Sequence, residues 1–241
     1  TYNEAVSIVE LLDKLAEFRA NKSSKFDVIV IDDNSPDGTA NIVDNLNLPW
    51  VSILHRPGKG GLGAAYRAGF VQVLADSSYT HVITMDADGS HRVVDLEKMI
   101  AAIEPGKLIV LGTRWIPGGS VVNWPKRRQY LSRAGTAYAK LALGIPLNDL
   151  TGGFRVYSVE LLKALKLSDM QATGYCYQIE MALAAHLAGA KKKEVPITFV
   201  ERINGVSKMS QAIVIEALLQ TTRWGISRLL RPNADKLHYV K

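Results

Sequence analysis

The sequence has a single cysteine, Cys176, and no apolar run as long as a membrane-spanning helix. One cysteine excludes a disulfide within the chain, which fits a reducing compartment. We interpret Cys176 as a packing residue, because it lies in an apolar, helix-like stretch. Internal repeats and low-complexity tracts are also absent. A spanning helix needs about 18 consecutive apolar residues, so no segment of this sequence is expected to cross a bilayer.

The composition is that of a well-packed domain with a basic surface. The chain has 241 residues, of which 47% are hydrophobic, so it can bury the core of one large α/β domain. Its net charge is +6 and its pI is about 9.3. A basic balance favours phosphate-bearing ligands, anionic lipid or nucleic acid. The basic residues are scattered rather than gathered in one stripe, so nucleic acid is not an expected partner.

Helix and strand patterns alternate through the first half of the chain. Apolar residues recur at helical spacing from Val6 to Phe18, and the β-branched run 26–31 follows. Similar short apolar runs at 51–54, 81–85 and 108–111 are separated by helical patterns. Continuous apolar strands between helices are typical of a parallel sheet covered on both faces. The predicted fold class is therefore α/β, with ligands at the carboxyl ends of the strands.

Longer helices are predicted in the second half, over 124–143, 159–165, 178–187 and 211–230, with a strand over 193–200. The last of these helices has a broad apolar arc and several arginines around it. An amphipathic helix of this kind can lie in a membrane interface, dock on the domain core or bind a partner. The arc consists of Val214, Ile215, Leu218, Leu219, Ile226, Leu229 and Leu230.

Two carboxylates stand where a buried strand ends, in the motif Asp86-Ala87-Asp88 after the apolar run 81–85. Both can reach one hard cation, and Mg²⁺ or Mn²⁺ held by one or two carboxylates keeps positions for phosphate oxygens. Ser90 is a weak oxygen-donor candidate. His91 could extend the cation site, but a lone His is more often a helix-start or packing residue, and hard cations prefer oxygen. Asp and Gly also favour turns, so a solvated acidic turn is the alternative.

Two other loops are candidates for phosphate or nucleotide binding. Asp32-Asp33 ends a strand, where a carboxylate can accept hydrogen bonds from a base or ribose. The segment 58–63 matches the dinucleotide pattern G-x-G-x-x-G but lacks a ribose-binding acid at a strand end about 20 residues on. We interpret it as a glycine-rich loop carrying Lys59 near phosphates; a plain helix start is the alternative.

A polar loop near the end of the chain carries two cations, Arg202 and Lys208, on either side of Gly205. If this loop folds over a diphosphate, the two cations would neutralise the charge of the leaving group. An exposed basic loop is the alternative.

Seven segments, in this order along the chain, resemble the family 2 inverting glycosyltransferases of the GT-A fold. More narrowly, they resemble the dolichol- and polyprenol-phosphate mannose synthases. The segments are 1–4, 32–39, 58–64, 86–91, 112–114, 151–155 and 202–208. The sequence departs from the family at Arg92, where proline is frequent, and at Ser90, where some members have glutamine. Because 1–4 looks like a strand end followed by a helix start, we expect a strand to precede it.

The resemblance implies a domain division and a set of site residues. It implies a mostly parallel GT-A sheet flanked by helices over 1–208, with a nucleotide-binding half (1–112) and an acceptor-binding half (113–208), and then a C-terminal amphipathic helix within 209–241. The residues expected to contact the nucleotide sugar are Tyr2, Glu4, Ile31, Asp33, Asp86, Ala87, Asp88, Arg114, Arg202 and Lys208. The expected metal ligands are Asp86, Asp88 and Ser90, and the expected catalytic residues are Asp88, Arg202 and Lys208. Independently of the resemblance, bidentate hydrogen bonding by arginine makes Arg114, Arg127, Arg128 and Arg155 the candidates for the acceptor phosphate.

The implied activity is metal-dependent transfer of mannose from GDP-mannose to a polyprenyl or dolichyl monophosphate, with inversion and with Mg²⁺ or Mn²⁺ as cofactor. Such an enzyme would work at the cytoplasmic face of a membrane, bound to its surface or to a separate membrane-anchoring subunit. Because the acceptor is already an anion, a strong general base is not required; Asp149 is the candidate if one exists. The alternatives are a UDP-sugar donor such as UDP-glucose, a hydroxyl acceptor in polysaccharide synthesis, a non-catalytic sugar-nucleotide sensor and an NAD-dependent dehydrogenase.

Overall fold

The computed structural model describes residues 1–21, 25–174, 176–201, 211–231 and 234–241, with only the backbone described for 211–213 and 234–235. The helices are α1 (Ile8–Asn21), α2 (Thr39–Asn45), α3 (Leu62–Leu74), α4 (Val93–Ala101), α5 (Lys126–Leu143), α6 (Val159–Ala164), α7 (Cys176–Leu187), α8 (Gln211–Leu230) and α9 (Ala234–Tyr239). The strands are β1 (Val28–Asp32), β2 (Val51–His55), β3 (His81–Thr84), β4 (Leu108–Thr113), β5 (Ser120–Val122), β6 (Arg155–Ser158), β7 (Lys191–Pro196) and β8 (Thr198–Val200).

The strands form three hydrogen-bonded groups. β1 and β2 are a parallel pair, and β5 and β8 are another. The central group has the order β3-β6-β4-β7, in which β7 runs parallel to β4 while β6 runs antiparallel to both of its neighbours. The α/β fold class is confirmed, and the antiparallel strand is β6, inserted between β3 and β4.

β6 is a strand that the sequence did not predict, because its residues follow a glycine-containing loop and make up only a four-residue segment. Short strands give little periodicity, and their pairing is decided by distant partners. The same reason applies to the three-residue strand β5 and to the short helix α9. The longer predicted elements differ from the structure mainly at their ends; for example, the strand predicted over 193–200 divides into β7 and β8.

Burial explains which elements form the centre of the molecule. All six residues of β4 are buried, as are ten consecutive residues of α7 beginning at Cys176. Cys176 belongs to this core, which agrees with its interpretation as a packing residue, and burial raises the pKa of its thiol to about 12. A buried, protonated thiol is unreactive.

The C-terminal helix α8 packs on α5, α7 and α9. Its inward side includes Thr221 and Trp224, both buried, at the spacing expected of one helix face. Close approach to α5 depends on Gly225, since a β-carbon there would lie 2.9 Å from the carbonyl oxygen of Ala142. Within the described residues, no helix is long and apolar enough to cross a membrane.

Candidate active site

The carboxylate at the end of β1 anchors the glycine-rich loop. Asp33 is almost fully buried, forms an ion pair with Arg56, and accepts a hydrogen bond from the backbone N–H of Gly60 at 3.1 Å. Gly61, in the left-handed region at φ 84°, immediately precedes α3. Asp33 therefore shapes the loop 58–63 and presents little carboxylate surface to a nucleotide.

The first residues of the chain lie beside this loop. The Nζ of Lys59 stands 4.5 Å from the ring centroid of Tyr2, a cation–π contact between the loop and the N-terminal segment. The backbone N–H of Glu4 donates to Thr39 Oγ1 at 3.0 Å, and the carbonyl of Ile31 accepts from the Thr1 hydroxyl at 3.3 Å. The structure thus gathers three of the expected nucleotide contacts, Tyr2, Glu4 and Ile31, around the end of β1 and the start of α2.

The acidic motif follows the end of β3, where His91 fixes its backbone. The N–H of Asp86 donates to His91 Nδ1 at 3.0 Å, and the His91 ring is stacked on Phe154 with 5.2 Å between centroids. An accepting Nδ1 puts the ring proton of neutral His91 on Nε2. Its ring is buried and Nδ1 accepts this bond, so His91 supports the motif from the core side, and its Nε2 lies 3.9 Å from Asp86 Oδ2.

The Asp86 and Asp88 side chains differ from Ser90 in exposure. The Asp86 carboxylate is 36% exposed, and Asp88 is half-buried with Oδ1 accepting from the backbone N–H of Ser90 at 3.0 Å. Ser90 is buried, and its hydroxyl has no hydrogen-bond partner among the described residues. Ala87, between the two carboxylates, packs partly against the core.

A hard divalent cation fits this donor set. Two carboxylates two residues apart, one of them well exposed, are the oxygen ligands that Mg²⁺ and Mn²⁺ prefer. In the described part of the chain, no group of three His, Cys, Asp or Glu side chains forms a complete metal site. The protein would therefore supply only part of the coordination shell, leaving positions for phosphate oxygens.

Arg114 was predicted to contact the nucleotide sugar, but its guanidinium is bound to side chains of the protein itself. Its Nε and Nη2 donate to the two carboxylate oxygens of Asp149 at 2.6 and 2.7 Å, and Nη2 also donates to Thr151 Oγ1 at 2.9 Å. Burial alone would raise the pKa of Asp149, but the charge and hydrogen bonds of Arg114 outweigh it and hold the pKa below its ordinary value. Asp149 is thus an ionised structural partner, which does not suit it to act as a general base.

Arg155 also differs from the prediction that it binds the acceptor phosphate. Its side chain on β6 is fully buried, and its guanidinium donates to three backbone carbonyls. These are the carbonyls of Leu150 and Gly152, both at 2.9 Å, and of Gln178 at 2.7 Å. Arg155 therefore fastens the loop after Asp149 onto α7 and cannot receive an acceptor phosphate.

The other two acceptor candidates lie at the start of α5. Arg127 is exposed, whereas Arg128 pairs with Glu201 and lies 3.9 Å from the ring centroid of Trp124. Further cation–π contacts lie next to that of Arg128 with Trp124. The Arg114 guanidinium contacts the rings of both Trp124 and Trp115, and the Arg133 guanidinium contacts the ring of Trp115. Sequence reasoning missed Trp115, Trp124 and Arg133; the basic start of α5 next to two tryptophans was the available signal.

Arg202 and Lys208 lie outside the described residues, so their predicted roles at a diphosphate stay predictions. The preceding residue, Glu201, is described, and its backbone N–H donates to the Val122 carbonyl at 3.0 Å. Glu201, the last described residue before Arg202, thus lies beside β5 and the start of α5.

Curated relatives cover almost the whole chain. An undecaprenyl-phosphate mannosyltransferase of Micrococcus luteus is 42% identical over 94% of this chain and 92% of its own length. A polyprenol monophosphomannose synthase of Mycolicibacterium smegmatis is 40% identical over 94% of this chain and 84% of its own length.

Solved structures with a similar fold are more distant in sequence. Mannosyl-3-phosphoglycerate synthase from Rubrobacter xylanophilus has a TM-score of 0.65 and 17% identity, covering 97% of this chain and 72% of that one. Glucosyl-3-phosphoglycerate synthase from Mycobacterium tuberculosis, solved with Mn²⁺, UDP-glucose and phosphoglyceric acid, has a TM-score of 0.64 and 19% identity, covering 92% of this chain and 77% of that one. At these identities the likeness concerns the fold alone.

The family model described as Glycosyl transferase family 2 matches residues 1–166, which include the glycine-rich loop, the acidic motif and the Arg114–Asp149 pair. Together with relatives at 40% and 42% identity over 94% of the chain, this match shows that the chain belongs to glycosyltransferase family 2 and is a glycosyltransferase.

Proposed function

We propose that this enzyme transfers mannose from GDP-mannose to a polyprenyl monophosphate, with inversion at the anomeric carbon. The observation that carries the proposal is the pair of carboxylates after β3, with Asp86 36% exposed, in a chain 42% identical to an undecaprenyl-phosphate mannosyltransferase. GDP as the nucleotide rests on the resemblance to polyprenol-phosphate mannose synthases. Mn²⁺ with a sugar nucleotide in a structural neighbour of similar fold supports a divalent cation.

In this reaction an oxygen of the acceptor phosphate attacks the anomeric carbon from the face opposite the leaving group. The new bond joins that carbon to the acceptor phosphate, and the bond to the β-phosphate of GDP breaks, which inverts the configuration. The attacking oxygen is already anionic, so no side chain has to remove a proton. This agrees with Asp149, whose pKa is held low by Arg114 against the opposing effect of burial.

The residues of the chain would bind the donor diphosphate and the acceptor phosphate on opposite sides of the anomeric carbon. Asp86 and Asp88 would bind the divalent cation, which when bound would offset the charge that develops on the departing diphosphate. Lys59, on the glycine-rich loop beside Tyr2, would approach the donor phosphates. Arg127 and Arg128, at the start of α5, would bind the acceptor phosphate, for which arginine has a matching fork of donors. Arg202 and Lys208, which lie outside the described residues, would bind the diphosphate.

The lipid acceptor implies attachment to a membrane surface, and α5 and α8 are the helices suited to it. Their contacts advance in the same direction along both helices, from Tyr138 with Thr222 to Ala142 with Gly225, so the two helices run parallel and side by side. α5 contains no acidic residue. Most of the exposed large apolar side chains in the described residues lie on these helices: Tyr130, Leu131, Tyr138, Leu141, Ile215, Leu218, Leu219, Ile226, Leu229 and Leu230.

An apolar face with cations around it is suited to an anionic lipid surface. On α8 the apolar arc identified in the sequence is exposed except at Val214, which is half-buried, while Thr221 and Trp224 face the core. We therefore place the enzyme peripherally at the cytoplasmic face of a membrane, with α5 and α8 as the contacting helices.

The test of the reaction is mannosyl transfer by the wild-type protein and by Asp88→Asn. With GDP-mannose, polyprenyl phosphate and Mg²⁺ or Mn²⁺, the substitution should lower the rate about 100-fold, because it removes a charged cation ligand. Asp13→Asn, on the exposed side of α1, is the matched control and should leave the rate unchanged. Equal rates for Asp88→Asn and wild type would contradict the metal role, and a faster reaction with UDP-glucose would replace the proposed donor.

A further inference from the structure

A buried amide near the acidic motif has no partner. Gln178, on α7, is 1% exposed, and neither its Oε1 nor its Nε2 has a hydrogen-bond partner among the described residues. Buried polar side chains are nearly always hydrogen-bonded, because an unpaired one loses its hydrogen bonds to water and gains none within the protein. The reaction proposed above does not use Gln178, so its place in the interior needs another reason.

Gly153 opens a small space between Gln178 and the acidic motif. A β-carbon at Gly153 would stand 3.1 Å from Tyr66 Oη, 3.3 Å from Asp86 Oδ1 and 3.5 Å from Gln178 Nε2. The φ angle of Gly153 is not in the left-handed region, so its backbone conformation does not require glycine. The absence of a side chain leaves one carboxylate oxygen and two hydrogen-bond donors facing a common point.

The walls of this space are held by buried contacts. Thr84, the last residue of β3, donates to the Gly153 carbonyl at 2.7 Å. The Arg155 guanidinium ties the Gly152 carbonyl to that of Gln178, and the Tyr66 ring is stacked on Tyr177 with 5.8 Å between centroids. Side chains fixed in this way can set the orientation of a ligand group that they touch.

We propose that Tyr66 and Gln178 are positioning residues for Asp86, which face Oδ1 across the space at Gly153 and donate to it when the divalent cation binds the other carboxylate oxygen. The inference rests on the proposed function, which places that cation at Asp86. Carboxylates that ligate metals are commonly held by hydrogen bonds to their second oxygen. The hydroxyl of tyrosine and the amide NH₂ of glutamine are both hydrogen-bond donors.

The experiment is a Mn²⁺ titration of the full chain in the presence of saturating GDP, followed by electron paramagnetic resonance. Tyr66→Phe and Gln178→Met each remove the donor and keep much of the side-chain volume, and each should raise the Kd for Mn²⁺ about tenfold. The Kd for GDP measured in EDTA should not change, since neither residue is proposed to touch the nucleotide. The controls are the same changes away from the site, Tyr79→Phe at a half-buried position and Gln72→Met at an exposed one.

The outcomes separate the positioning role from the proposed function. If the wild type binds no Mn²⁺ with GDP, the proposed cation site is wrong and this inference falls with it. If the wild type binds Mn²⁺ and both variants bind it equally well, only the positioning role is overturned. Equal weakening of Mn²⁺ binding and of GDP binding in EDTA would indicate a general disturbance and would also overturn it. Tyr66→Phe decides the question alone if Gln178→Met does not fold.

Discussion

The charged guanidinium of Arg155 is buried, and it donates hydrogen bonds to backbone carbonyls. Its three carbonyl partners belong to Leu150, Gly152 and Gln178, so a single side chain joins the loop before β6 to α7 beside the acidic motif. A buried guanidinium is stable there because each of these bonds is charge-assisted and compensates for lost hydration. At the scale of one residue, an arginine that was predicted to bind phosphate instead stabilises the packing of a loop on a helix.

Replacing Arg155 by methionine should therefore act on stability first. Three buried carbonyls lose their donor, and we expect the free energy of unfolding to fall by about 3 kcal/mol. Urea unfolding of the two proteins measures the difference. Arg127→Met, which removes an exposed arginine, is the control and should change stability by less than about 0.5 kcal/mol. Unchanged stability with a raised KM for polyprenyl phosphate would restore Arg155 as an acceptor residue.

His91 and Asp33 make the same point about residues near the strand ends. His91 holds the Asp86 backbone through Nδ1, and Asp33 holds Arg56 and Gly60. Each looked like a candidate ligand in the sequence, and each serves to fix a loop that carries other candidates. The groups left with accessible polar atoms, Asp86 among them, are consequently presented from ordered backbone.

At the scale of elements, α8 has one face packed on the core and another that is exposed. Thr221 and Trp224 face the core, whereas Leu229 on the other side is 85% exposed. An exposed apolar face of this extent marks a surface that something covers. The parallel neighbour α5 has exposed apolar side chains of its own, including Leu141 at 86%. The two helices together thus offer a wider apolar surface than α8 alone.

Serine substitutions at Leu229 and Leu230 test whether this face meets lipid. Burying a leucine side chain is worth about 1.5–3 kcal/mol, so each substitution should weaken binding to vesicles containing phosphatidylglycerol by about tenfold or more. Co-sedimentation measures the affinity. Val71→Ser, which removes an exposed apolar side chain from α3, is the matched control. Binding as tight as that of the wild type would show that this face is covered by something other than a bilayer.

At the scale of the whole molecule, the Arg114–Asp149 pair links folding to pH. The folded-state pKa of Asp149 lies below its ordinary value of 3.8. A carboxyl with a lowered folded pKa contributes stability that is fully present above its unfolded pKa and is lost as the pH falls through the folded pKa. Acid should therefore destabilise the protein partly by protonating this carboxylate.

Urea unfolding at pH 7 and at pH 3 measures this linkage. Asp149→Asn should lose about 3 kcal/mol at pH 7, because Arg114 is left buried without its partner. It should also lose less stability between pH 7 and pH 3 than the wild type does, since the titrating group is gone. Parallel pH dependence in the two proteins would contradict the contribution of Asp149.

Much of the site could be read from local sequence because it sits at the ends of strands. The apolar run before Asp86 predicts a strand, and the carboxylates after it lie at its carboxyl end as expected. Local patterns did not reveal β6, whose four residues pair with β3 and β4 far away in the sequence. Nor could they indicate Gln178, since nothing in its own helix distinguishes it from the buried residues around it.

The sequence by itself determined the α/β class, the acidic motif, the glycine-rich loop and the apolar arc of the last helix, because each depends on residue types at short, regular spacing. Only the tertiary structure decided which charges are buried and which way the arc faces. Arg155 and Arg127 are the same residue type, yet one lies among carbonyls and the other in solvent. That difference is made by neighbours distant in sequence, which set the solvation of each charge and so what it can bind.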